Sequence, residues 1–168
     1  MNRRFVIEAV MLAIYGQLHM PGRQVEYLIP YSTILELYDM RESPDPVMPD
    51  PEEDAHVKEK IGELIAFFEE SLNKKKIEKT IVTPWKKSAP ILVNPETTLT
   101  VVNAIDNAQF GEAFDPVETE LLLTAMREQA PILTDQLEFI DKVIDHEVPV
   151  QAFDIEDFEF AVEEDVSV

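Results

Sequence analysis

Cysteine is absent, and 168 residues contain only 4 glycines and 1 tryptophan. Bases are also scarce, with 14 Lys plus Arg against 34 Asp plus Glu. Each shortage removes a class of function. Without cysteine there is no disulfide framework, no thiolate zinc site and no thiol nucleophile. No Gly-rich phosphate loop, nucleophile elbow or helix-turn-helix signature is found. The apolar run Phe5–Leu18 behind Arg3 and Arg4 superficially resembles a signal peptide. However, Glu8 interrupts it early, no small-x-small cleavage site follows, and it is too short to span a bilayer. It reads as the buried first element of a soluble domain, with no membrane role and a cytoplasmic location expected. A net charge of -20 repels nucleic acid and anionic membranes on average, and suits a basic protein partner or divalent cations.

What is present points to a folded domain. Apolar residues make up 45%, too many for a disordered acidic chain, and the length suits one domain with a sizeable core. The chain is therefore read as a single domain, 1–168, ending in an acidic segment, 154–168, that has seven acids and no base. Six of the 14 bases fall between Lys74 and Lys87, so charge is unevenly spread.

Along the chain, Arg4–Glu8 reads as a strand followed by a helix over Ala9–Leu18, although apolar periodicity does not separate this from one continuous helix. Val25–Ile29 is a strand, and Pro30–Thr33 opens a helix with Ser32 or Thr33 as its cap. Four prolines make Ser43–Pro51 a loop, and a mobile one. Glu52–Lys75 reads as one long helix, with acids in its first turn and Lys74–Lys76 in its last, as the helix dipole favours. Ile77–Val82 is a strand or an irregular stretch. Pro95 opens a helix over Glu96–Ala108, against which the Thr97, Thr98, Thr100, Val101 and Val102 cluster argues. Pro116–Gln129, Asp135–His146 and Ile155–Val162 read as helices alternating with short strands at Ala130–Leu133 and Val148–Ala152. That alternation predicts an α/β fold, a three-layer α/β/α domain with a central, mostly parallel sheet.

Such sheets place ligands at the carboxyl ends of their strands. Glu8, Glu36, Glu118 and Asp135 fall at those places. Carboxylates gathered with no Lys or Arg among them are expected to relieve their repulsion by binding Mg²⁺ or Mn²⁺. Bound cations activate water and stabilise a phosphodiester in flight. Each acid also has a plain structural use: Glu8 and Glu36 as exposed helix positions, Glu118 as a favourable charge at a helix start, Asp135 as an N-cap with Glu138 in capping-box spacing. Trp85-Lys86-Lys87 pairs an aromatic with two bases, a combination that stacks on nucleotides or simply packs. His19, His56 and His146 show no ligand spacing.

On these residues the chain resembles the PIN domain family of metal-dependent ribonucleases. Phe5-Val6-Ile7-Glu8-Ala9 resembles the family's opening strand, where the pattern has Asp followed by Ser or Thr. Ile29-Pro30-Tyr31-Ser32-Thr33-Ile34-Leu35-Glu36 resembles the element holding a conserved Glu. Glu118 to Gln136 resembles the segment with the third and fourth acidic positions, the fourth falling on Gln136 with Asp135 one place earlier. Val148-Pro149-Val150 and Ile155-Glu156-Asp157-Phe158 are similar to its closing strand and last helix. The resemblance implies a divergent ribonuclease. Glu8, Glu36, Glu118 and Asp135 would hold Mg²⁺ or Mn²⁺, and Lys79, Lys86 and Lys87 would hold the RNA backbone. The alternative is a catalytically degenerate PIN-like module that binds a basic protein through segment 154–168. A homodimer is left open.

Overall fold

The computed structural model describes residues 3–105 and 112–163. Residues 164–168 of the acidic segment lie outside them. The fold is α/β, with helices on both faces of one six-stranded sheet. The strands are β1 (Arg3–Val6), β2 (Val25–Pro30), β3 (Ile91–Asn94), β4 (Thr97–Val102), β5 (Ile132–Leu133) and β6 (Ala152–Phe153). They lie in the order β3-β4-β2-β1-β5-β6, and only the β3–β4 pair is antiparallel. Alternation along the central strands divides the core in two. Phe5, Ile7, Tyr27 and Ile29 face a layer built from α1 (Met11–Ile14), α2 (Tyr31–Glu42), α3 (Pro51–Phe68), α4 (Ser71–Thr80) and α7 (Ile155–Glu163). Val6 and Leu28 face α5 (Pro116–Glu128) and α6 (Leu137–Asp145).

The opening run resolves as β1 and then α1, followed by a 3-10 turn at Gly16–His19, rather than one helix. The expected long helix is two. The chain leaves helical geometry at Glu70 (φ -61, ψ 140), and the Asn73 side-chain amide donates to the Phe67 carbonyl at 2.9 Å. Lys74–Lys76 therefore sit inside α4, not at a helix end, and only Lys79 occupies its last turn. The dipole account of the lysine run fails for that reason. Ile77–Thr80, read as strand or irregular, continues this helix, with Ile77 buried against the core.

The helix expected after Pro95 is β4. Its β-branched residues lose χ1 freedom in a helix and pack well on a pleated surface. Asn94 fixes the hairpin by accepting from the backbone N–H groups of Glu96 and Thr97 through Oδ1, at 2.8 and 3.0 Å. The proline-rich loop is held rather than loose: Asp54 Oδ1 accepts from Val47 N and Met48 N at 2.6 and 3.1 Å. The predicted strand Val148–Ala152 shrinks to Ala152–Phe153.

Gly62 lies in the interior of α3, and a Cβ built there meets no atom within 4 Å. Glycine costs a helix interior about 1 kcal/mol relative to alanine. Gly62→Ala is therefore expected to stabilise the protein by about 1 kcal/mol, read as a higher urea midpoint with an unchanged slope.

Candidate functional site

The acids predicted from the sequence are delivered to one end of the sheet by separate elements. After β1 the chain continues through Ile7, whose N–H donates to Leu28 O at 3.0 Å, into Glu8. Ala9 N then donates to Thr33 Oγ1 at 3.1 Å, and that hydroxyl donates to Pro30 O at 2.8 Å. Thr33 thus clamps the loop after β1 to the turn after β2. It does this instead of capping α2, which begins with no side-chain cap. Glu36 stands just beyond, on α2. After β5, Thr134 Oγ1 accepts from Gln136 N at 3.1 Å, shaping the turn that carries Asp135. Asp135 is not the N-cap of α6: Gln136 takes that position, without a side-chain bond.

The Glu8 carboxyl records the convergence. Burial is the main cause that pushes it up to about 7, and repulsion from Glu36, Asp135, Asp115 and Glu118 adds to this. Glu36 is also raised, by burial first and then by Asp115 and Asp39. The other three sequence-predicted acids therefore all bear on the Glu8 carboxyl. Asp115 joins them unpredicted, although its signal was readable: Asp-Pro-x-Glu at a helix start is a capping box. Asp115 Oδ1 accepts from Glu118 N at 2.7 Å, and Glu118 Oε1 accepts from Asp115 N at 3.0 Å.

The expectation that no base enters this cluster is overturned. Lys142 of α6 reaches Glu118 Oε1 at 2.6 Å and Ala113 O at 3.1 Å, and lies 5.1 Å from the Phe114 ring centroid. Nothing in the local sequence around Lys142 signals this, because the contact spans two helices. Glu8 and Asp135 also have protein donors. Gln136 Nε2 donates to Glu8 Oε1 at 3.2 Å, and Tyr15 OH donates to Asp135 Oδ2 at 2.9 Å. Among the described residues, no group of three His, Asp or Glu side chains stands close enough to hold a metal ion. The carboxylates stand near enough for Glu8 to feel the charges of the others.

No family model and no curated protein matches the chain.

The predicted RNA-facing bases lie on different elements. Lys79 is exposed on α4, in the layer with α1–α3 and α7. Trp85 packs against the opposite core, and its ring lies 4.3 Å from the Arg127 guanidinium carbon, so a cation already occupies its face. Lys86 is exposed beside it. Lys87 Nζ is 3.0 Å from Glu128 Oε1, a carboxylate also held by Arg4 at 2.7 Å. No described helix is long and apolar enough to cross a membrane.

Proposed function

We propose that this chain is a PIN-like domain whose acidic centre is compensated from within, and that it serves as a binding module for a basic protein partner. A mostly parallel sheet with carboxylates at its strand ends supports the PIN-like reading. The observation that carries the loss of catalysis is the pairing of Glu118 with Lys142 at 2.6 Å, a tethered cation among the acids. Gln136 on Glu8 and Tyr15 on Asp135 act in the same direction, because each uses an oxygen that a metal would need. The partner's charge follows from the net -20, which steers basic surfaces toward the protein. The described part of the acidic segment, α7, presents Glu156, Asp157, Glu159 and Glu163 to solvent.

Metal titration followed by melting tests the reading. Wild type is expected to show no shift with Mn²⁺ or Mg²⁺. Lys142→Ala leaves Glu118 without its cation, so it is expected to melt about 2–4 °C lower and to recover with Mn²⁺. The nuclease reading is favoured by one observation: besides burial, repulsion from Glu36, Asp135, Asp115 and Glu118 helps to hold Glu8 at about 7, and a cation would relieve that repulsion. A Mn²⁺-induced rise in wild type that disappears in Glu36→Ala, together with cleavage of unstructured RNA, would establish it instead.

A further inference from the structure

A second place in the fold is independent of the acidic centre. Between α1, the 3-10 turn, α3 and the β3–β4 hairpin opens a cavity of about 460 Å³. Leu12, Ala13, Leu64 and Leu99, all buried, form its walls with Phe67 and Val93. Protein interiors are close-packed, and cavities of this size with apolar walls are characteristic of ligand sites. His19 is fixed at one side, its Nε2 lying 2.7 Å from Leu12 O. Lys60 and Glu63 at the mouth answer each other at 3.5 Å and leave no net charge.

The cavity does not end there. It shares Ile14 and His56 with a second one, about 580 Å³, lined by Tyr15, Asp50, Glu52 and Glu53. Asp50 Oδ2 is occupied as the N-cap acceptor of Glu53 N at 3.0 Å. The Glu52 and Glu53 side chains are exposed and meet no cation among the described residues. The combined shape is an apolar pit opening onto a carboxylate-lined vestibule.

We propose that these joined cavities bind a small organic cation, its apolar body in the pit and its ammonium or guanidinium head against Glu52 and Glu53. An anionic head would meet three acids, and a neutral one would leave the vestibule unused. This inference does not depend on the protein-binding reading.

The test is titration of the full chain with phenethylammonium, phenethyl alcohol and phenylpropionate, followed by amide NMR and calorimetry. Phenethylammonium is expected to give saturable shifts at Leu12–Gly16 and at Glu52–His56. The alcohol should bind about tenfold more weakly and the carboxylate more weakly still. Gly16 lines the pit and a Cβ there meets nothing within 4 Å, so Gly16→Trp is expected to obstruct the cavity and to remove binding. Glu52→Lys with Glu53→Lys should erase the preference for the cation, whereas Glu159→Lys on α7 should not. A blocked Phe-Lys dipeptide carries the same two groups on a peptide backbone. Tighter binding than the free amine assigns the site to a protein segment, and weaker binding to a metabolite-sized amine. Equal affinity for the three probes, shifts outside these residues, or unchanged binding to Gly16→Trp would overturn the proposal.

Discussion

Glu8→Gln is expected to raise the unfolding free energy by about 3 kcal/mol at pH 8 and to leave it nearly unchanged at pH 4. In the folded protein the Glu8 carboxyl is held at about 7, against an ordinary value of 4.5. Below 4.5 both folded and unfolded chains carry the proton, so the group costs nothing. As pH rises from there to about 7, the unfolded chain releases its proton and the folded chain does not, and stability falls. Above 7 the folded state carries a charge that burial and the neighbouring Glu36, Asp135, Asp115 and Glu118 all disfavour. The full loss is about 3 kcal/mol by the usual conversion of a carboxyl's displacement into free energy. Glutamine never ionises, and its carbonyl still accepts from the Gln136 amide, so the variant keeps the contact and omits the cost. Urea unfolding at both pH values reads the effect directly. A variant less stable than wild type at pH 8 would mean that the ionised carboxylate has a favourable partner in the folded protein.

The other large effect is on the last helix. Phe158→Ala is expected to cost about 3–5 kcal/mol, the range for removing a buried aromatic side chain. Phe158 is 2% exposed and meets Phe5 edge-on at 5.0 Å and Tyr27 at 6.3 Å between ring centroids. Val162 is the other buried side chain of this helix, with Ile155 and Ala161 partly buried against the same core. Its start is capped reciprocally, with Asp157 N donating to Asp154 Oδ1 at 2.8 Å and Asp154 N to Asp157 Oδ2 at 3.0 Å. Its last turn has no base to answer the dipole, and a helix this short is marginal without packing. Without Phe158 the helix should detach, which limited proteolysis within 154–163 would register alongside the lower urea midpoint. Phe160, on the same helix but 66% exposed, should tolerate Ser within about 0.5 kcal/mol.

The elements that the sequence displays best are those whose burial has a simple period. α5 reads cleanly because Pro116 opens it and its apolar residues keep helical spacing. β2 reads cleanly because it is a short apolar run between turn residues. β4 is hidden in the sequence because Pro95 serves a hairpin turn as readily as a helix start, and Asn94, which decides between them, acts through its side chain. The break after Phe68 carries no Gly or Pro, so helical periodicity ran straight through it. At the acidic centre, strand ends account for Glu8 feeling the charges of Glu36, Glu118 and Asp135. The donors to Asp135 and Glu118 are invisible in the sequence, since Tyr15 and Lys142 lie far along the chain from the acids they meet, and pairing of that kind leaves no local pattern.

The central position of β1 has a consequence for how the chain folds. One edge of β1 pairs with β2, close in sequence, while the other pairs Val6 with Ile132. During synthesis the half-sheet β3-β4-β2-β1 is complete long before β5 exists, and its innermost strand spends that interval as an open edge. Closing it requires a long-range, parallel contact, the slowest kind to form. The late C-terminal third therefore sets the folding time, and it is also what ends the exposure of the open β1 edge to other nascent chains.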